Sequence, residues 1–264
     1  MLEAVLALLL GLILGSFLNV CIYRMPRDLS VVRPRSFCPS CERTIAWFDN
    51  IPVLSYLLLR GRCRHCSAQI PMRYPVVELL TGGLFFVIVR GHGVTLEAGK
   101  ECLFVFLLVG LIFSDLELRI LPDEFTLGGT LLGLAAAFVV PLKRGLISLF
   151  LPMDWSEGAI SILEAAVGAA IASGAMWLVA TIYEKVRHRE GLGLGDVKMV
   201  AMIGAFLGIE GALMALLLGS LAGSVIGLAY VLIARKDASK YELPFGSFLG
   251  VAALVVGLVG LRAF

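Results

Sequence analysis

Apolar residues in this chain run in long stretches that show neither the one-sided helical period nor the strict alternation of a soluble domain. Eight stretches read as spans: Leu2–Ile22, Tyr74–Val89, Cys102–Leu118, Phe125–Val140, Ala159–Ile182, Val197–Gly208, Leu213–Ala234 and Phe248–Leu261. A hydrocarbon core takes roughly 17 to 25 residues of helix; the sixth stretch is the shortest of the set. In lipid, only helices and closed barrels satisfy their own backbone, and runs this long without alternation are helices. The pattern predicts an all-α membrane protein with about eight transmembrane helices. The expected organisation is a first transmembrane helix over 1–23, a small polar loop domain over 24–73 and a polytopic core over 74–264.

Composition agrees with this reading. Hydrophobic residues make up 59% and charged residues 16%, too little polar surface to cover a soluble domain. The net charge of +2 says less than its distribution: the 24–73 stretch and the loops of the same parity hold 17 Lys and Arg, the opposite loops 5. The first set is therefore expected on the cytoplasmic side and both termini on the periplasmic side. Met1-Leu2-Glu3 lacks a basic n-region and no small-residue cleavage site follows, so the first span is expected to be retained. Gly11 and Gly15, Gly129 and Gly133, Gly204 and Gly208, and Gly219, Gly223 and Gly227 recur at four-residue spacing. Small residues so spaced let helix backbones approach closely in lipid, within one bundle or across a homodimer seam.

The polar loop contains Cys38-Pro39-Ser40-Cys41 and Cys63-Arg64-His65-Cys66, with 21 residues between the pairs. Each Cys-x-x-Cys turns sharply enough to aim two sulfurs at one point, and two such knuckles build the closed tetrahedral site of structural Zn²⁺. A reducing cytoplasm keeps the thiols free, and a loop this small needs the metal for much of its folding energy. A disulfide pair or a redox site is the alternative reading. His65 lies inside a knuckle and reads as a bystander. Cys21 and Cys102 lie at spans, where cysteine acts as a small hydrophobe.

Ionisable residues in membrane helices are costly and mark function by default. Asp115 lies about one turn inside the end of the third span, and Asp196 opens the sixth after Gly191-Leu192-Gly193-Leu194-Gly195. Between them the chain crosses outward and returns, so both are expected at the cytoplasmic face. Two carboxylates within hydrogen-bond reach cannot both ionise cheaply; one keeps a proton, and the pair serves as base for water and acid for a leaving amine. That is the chemistry of aspartic proteolysis. The glycines permit unwound backbone and close approach of a substrate strand. They lack the preceding strand and Gly-Lys-Ser/Thr ending of a phosphate loop. Plainer roles compete: Asp115 pairing with Arg119 one turn along, Asp196 capping its helix, and Asp123 serving as N-cap of the fourth span after Pro122. Lys198 points away from Asp196 on a helix and reads as an interface lysine facing substrate.

Taken together, these motifs resemble the type IV prepilin peptidases, Gly-x-Gly-Asp intramembrane aspartic proteases, over nearly the whole chain. The resemblance is carried by Gly15-Ser16-Phe17-Leu18-Asn19-Val20, both cysteine knuckles, Asp49-Asn50-Ile51-Pro52-Val53-Leu54-Ser55-Tyr56, Arg73-Tyr74-Pro75-Val76-Val77-Glu78-Leu79, Leu121-Pro122-Asp123 and Gly193-Leu194-Gly195-Asp196. It implies that Asp115 and Asp196 are the catalytic pair. It further implies a bacterial inner-membrane enzyme that removes the basic leader of type IV prepilins or type II secretion pseudopilins after a glycine. Long-form members, marked by the cysteine loop, also methylate the new N-terminal amine with S-adenosylmethionine. Glu78, Asn19 and Asp49 are candidates for the methylation or substrate site. Their plainer roles are interhelical hydrogen bonding for Asn19 and Glu78 and a loop turn at Asp49-Asn50. The strand–Gly-x-Gly–helix unit of a soluble methyltransferase is not found in the sequence. The partners implied are prepilin or pseudopilin substrates and the bilayer, with no nucleic acid.

Two other classes were weighed. A transporter would place charges at mid-membrane or break its helices there, whereas the acids here gather at one face. A zinc-bearing membrane scaffold would depend on the four cysteines and not on the aspartates.

Overall fold

The computed structural model of the chain describes residues 1–142, 145–150, 155–188, 193–234 and 243–260. Gly191 of the glycine string, Leu261 of the last predicted span, and Lys143, Arg144, Arg189, Arg235, Lys236, Lys240 and Arg262 of the charge asymmetry lie outside these residues. Among the described residues, the regular structure is helical apart from two isolated β-bridges. The chain forms two compact units, Met1–Phe113 and Ser114–Phe264.

In the first unit, α1 (Leu2–Arg24) and α3 (Arg73–His92) pack antiparallel along their length, with the loop and the short helix α2 (Leu54–Leu58) between them in sequence. Two glycines set how closely they lie. A Cβ on Gly11 would come within 2.8 Å of the Gly82 Cα, and one on Gly15 within 2.8 Å of the Glu78 Cα. The expected small-residue contact is thus an intrachain one here. Asn19, a turn beyond Gly15, donates across the same seam to the Tyr74 carbonyl at 3.0 Å. Leu6, Leu9 and Leu10 face outward from α1, as lipid-facing side chains do.

α4 (Leu96–Leu118) begins in the first unit and ends in the second. The second unit continues with α5 (Asp123–Val139), α6 (Glu157–Arg187), α7 (Leu194–Ala234) and α8 (Phe245–Gly260). α7 is broken at Gly208, whose φ of 71° and ψ of −175° lie outside the helical region. The break explains why this one element was read as two spans. Beside it, Gly168 of α6 meets Gly204 and Gly208 so closely that a Cβ would strike backbone at 2.6 Å.

Each predicted span thus falls on a helix, with two on α7. The segments Leu2–Arg27, Arg73–His92, Glu157–Arg187 and Leu194–Tyr230 are long and apolar enough to cross a membrane, and Phe245–Val259 is shorter. The chain is an all-α, multi-pass membrane protein with a cysteine-bearing loop after its first helix.

Candidate functional site

Asp115 lies in the last turn of α4 and is 5% exposed. One oxygen, Oδ2, accepts both the backbone N–H of Ser247 at 2.6 Å and its hydroxyl at 2.8 Å. Ser247 is in the first turn of α8, where Gly246 leaves room for the carboxylate: a Cβ there would come within 3.2 Å of it. Asp196 sits in the first turn of α7 and its carboxylate accepts the Gly193 N–H, reaching back as in a capping box. It also feels the charge of Asp115. Leu121 lies between these elements: a Cβ on Gly195 would touch it at 3.2 Å and one on Gly246 at 3.1 Å. Asp115 and Asp196, 81 positions apart in the sequence, thus come together at the ends of two helices. The capping role weighed for Asp196 coexists with this proximity.

Asp123 is not the N-cap of its helix. The cap position is Pro122, and Asp123 is the first helical residue. Its carboxylate instead binds the Lys198 ammonium at 2.7 and 3.0 Å. Lys198 does point away from Asp196, but towards α5.

In the first unit the two knuckles repeat one geometry. The Cys38 N–H donates to the Arg43 carbonyl and Glu42 N–H to Cys38; the Cys63 N–H donates to Ala68 and Ser67 N–H to Cys63. Glu42 and Ser67, each four residues past the leading cysteine, adopt positive φ of 57° and 58°. The four Sγ atoms lie within 4.8 Å of one another, and those of Cys38 and Cys66 are 3.8 Å apart. A tetrahedron of Zn–S bonds near 2.3 Å has edges of about 3.8 Å, so the cluster has the size a tetrathiolate metal site requires. All four are free thiols. The backbone N–H groups of Cys66 and His65 aim at the Cys63 sulfur and bring its pKa down to about 7, whereas desolvation and the three neighbouring sulfurs push Cys66 up to about 11, so Cys63 is the thiol readiest to ionise. His65 is outside the cluster, its Nδ1 3.3 Å from an Arg43 nitrogen.

The methylation candidates separate. Asp49 takes the Arg64 guanidinium on both oxygens at 2.6 and 2.8 Å, and this hydrogen bonding holds its carboxyl below the usual range. It ties the second knuckle to the loop. Asn19 gives its amide to Gly15 and Tyr74, while its buried Oδ1 has no hydrogen-bond partner among the described residues. Glu78, 7% exposed, accepts the Val53 N–H at 2.7 Å. Val53 itself has φ 61°, a strained conformation for a β-branched residue. Sequence reasoning missed two features: Ser247 and the strained Val53. Nothing local in sequence signals a positive φ at valine. Ser247, however, is the first polar residue at the start of the last span, on the side that parity assigns to both aspartates.

Residues 9–91 match the family model described as bacterial peptidase A24 N-terminal domain, and residues 102–228 that of the type IV leader peptidase family. The chain is 44% identical over 239 residues to the prepilin leader peptidase/N-methyltransferase of Myxococcus xanthus, covering 90% of this chain and 66% of that one. It is 34% identical to the protein of that name from Aeromonas hydrophila, covering 97% and 90%, and 33% identical to that from Neisseria gonorrhoeae, covering 95% and 88%. No solved structure matches. With 33 to 34% of residues shared along almost the full length of this chain and of the Aeromonas and Neisseria proteins, this protein is an enzyme of the type IV leader peptidase family.

Proposed function

We propose that this enzyme cuts the basic leader from type IV prepilins or type II secretion pseudopilins after a glycine, at the cytoplasmic face of the bacterial inner membrane, with Asp115 and Asp196 as the catalytic pair. The observation that carries this is the convergence of two carboxylates at helix ends within one unit, one of them clamped by Ser247. Coupled carboxylates share a proton. Asp115, with Oδ2 held by two donors, is the member better suited to stay ionised and draw a proton from water. Asp196, the proton-bearing member, protonates the departing amine. The apolar helix of the substrate lies in the bilayer and its basic leader in the cytoplasm, with both termini of this chain on the periplasmic side.

The tetracysteine cluster holds structural zinc, which supplies folding energy to a loop with few buried apolar side chains. The second activity is N-methylation of the freed amine, for which S-adenosylmethionine supplies the methyl group when bound. Glu78 holds the backbone at Val53, and Asn19 and Asp49 shape the same loop-and-helix region.

The test is cleavage of a prepilin by the purified protein in detergent, comparing wild type with Asp115→Asn and Asp196→Asn. Asn keeps the shape and cannot exchange the proton. Each change alone is expected to abolish cleavage in a folded protein; normal cutting by either variant removes that carboxylate from the mechanism.

A further inference from the structure

The first unit contains a cavity of about 530 Å³ between the C-terminal half of α1 and the loop, within the roughly 300 to 1,000 Å³ of small-molecule sites. Phe17, Val20 and Ile51 form an apolar wall; Arg24, Arg35 and Asn50 form a polar one. A smaller cavity of about 260 Å³ shares Arg35 and Asn50 and reaches Trp47.

Arg24 is the unusual member. It is 5% exposed, yet no carboxylate pairs with it among the described residues. Its guanidinium donates to the carbonyls of Ser30 at 2.9 Å and Arg35 at 3.4 Å and lies 5.9 Å from the Phe37 ring. Those carbonyls take up fewer N–H donors than a guanidinium offers, and carbonyl dipoles do not neutralise a buried unit charge. A buried arginine in a cavity wall without a counter-ion asks for an anion of fork-like shape, a carboxylate or a phosphate.

We infer that this cavity binds S-adenosylmethionine, with Arg24 receiving its carboxylate and the Phe17–Val20–Ile51 wall its adenosyl group. The inference rests on the methyltransferase reading above and adds to it a location. Ser16 and Arg24 both line the cavity and, two turns apart on α1, span about 12 Å, a length suited to an extended nucleoside–amino acid conjugate. Ser16 also hydrogen-bonds Glu78, which holds Val53 beside the cavity residue Pro52. The strained turn is thereby fixed as part of the wall.

The experiment measures equilibrium binding of S-adenosylmethionine and of its decarboxylated analogue to the full chain in nanodiscs of phosphatidylcholine, with and without phosphatidylglycerol. Arg24→Gln is expected to weaken S-adenosylmethionine at least tenfold and leave the decarboxylated analogue within twofold. A merely structural arginine would weaken both alike, which would overturn the assignment. Val20→Trp, which fills the cavity from α1, is expected to abolish binding of both; unchanged binding places the ligand elsewhere. Phosphatidylglycerol retained by wild type and lost in Arg24→Gln, with S-adenosylmethionine binding unaffected, identifies a lipid phosphate as the occupant instead. Circular dichroism and thermal unfolding establish that each variant is folded. If wild type methylates a cleaved pilin while both variants bind normally, the location fails and the methyltransferase reading stands. If wild type neither binds nor methylates, both fail.

Discussion

Replacing Ser247 with alanine tests how the two carboxylates proposed as the catalytic pair are prepared. The change removes the hydroxyl donor 2.8 Å from Asp115 Oδ2 and keeps the backbone N–H at 2.6 Å. A hydrogen bond to a charged group contributes about 1.5–3 kcal/mol, and each 1.36 kcal/mol is tenfold in rate. If the bond serves the transition state, leader cleavage falls roughly 10- to 100-fold. The assay is single-turnover cleavage of a purified prepilin at saturating enzyme, with the substrate KM measured separately. The loss is expected in the cleavage step with KM little changed, because Ser247 touches Asp115 and is not placed on the substrate. Ser247→Thr keeps the hydroxyl and is expected to recover most of the rate. Cleavage by Ser247→Ala within twofold of wild type refutes the reasoning, as does an equal loss in Ser247→Thr.

Three further outcomes are expected. Lys198→Gln breaks a pair whose partners are 34% and 57% exposed; exposed pairs contribute at most about 1 kcal/mol, so cleavage is expected to fall less than about fivefold, and a far larger loss means the lysine meets substrate. Chelation of the metal, or Cys63→Ser, is expected to open the 36–70 loop to limited proteolysis, with bound zinc falling from one per chain to none; a loop equally protected without metal argues against the structural role. Gly15→Leu drives a side chain into backbone 2.8 Å away; overpacking typically costs about 1–3 kcal/mol, read as a lower thermal midpoint in detergent than that of Gly83→Leu, where a Cβ meets nothing within 4 Å.

Much of the architecture was legible because lipid simplifies the physics. The apolar runs follow from one constraint, that backbone cannot be left bare in hydrocarbon, and the glycine spacing from close packing of helices there. The break at Gly208 was anticipated in effect, as a gap between two spans, though not as a kink in one helix. The cysteine cluster was legible because knuckle geometry is local: the backbone hydrogen bonds that Cys38 and Cys63 make to close each knuckle lie within six residues. The partners of the acids were not, because Asp115 meets Ser247 across 132 positions and Asp123 meets Lys198 across 75, and no local period encodes such pairings. Asp123 shows the cost of local reasoning most plainly. A Pro-Asp at a helix start reads as a cap, and it became an ion pair because α5 and α7 begin side by side.

In the proposed mechanism, the two carboxylates would gain their chemistry from where their helices stop. Asp115 sits in the final turn of α4 and Asp196 in the first turn of α7. A helix C-terminus disfavours an anion and an N-terminus favours one, so by this effect alone Asp196 would be the ionised member. The two donors from Ser247 oppose that order. They belong to α8, whose own N-terminus supplies the backbone N–H, so Asp115 borrows from a neighbouring helix the stabilisation its own helix denies it. Which effect wins decides which aspartate activates water. Direct hydrogen bonds to a charge contribute about 1.5–3 kcal/mol each; Asp115 has two from Ser247 and Asp196 one from Gly193, a surplus of one bond against about 0.3–1 kcal/mol for a typical helix terminus. The balance therefore favours Asp115 as base. Ser247→Ala, which leaves one donor on each carboxylate, should remove that margin, and Ser247→Pro, which removes both donors from Asp115, should reverse it, leaving residual cleavage below that of the alanine variant.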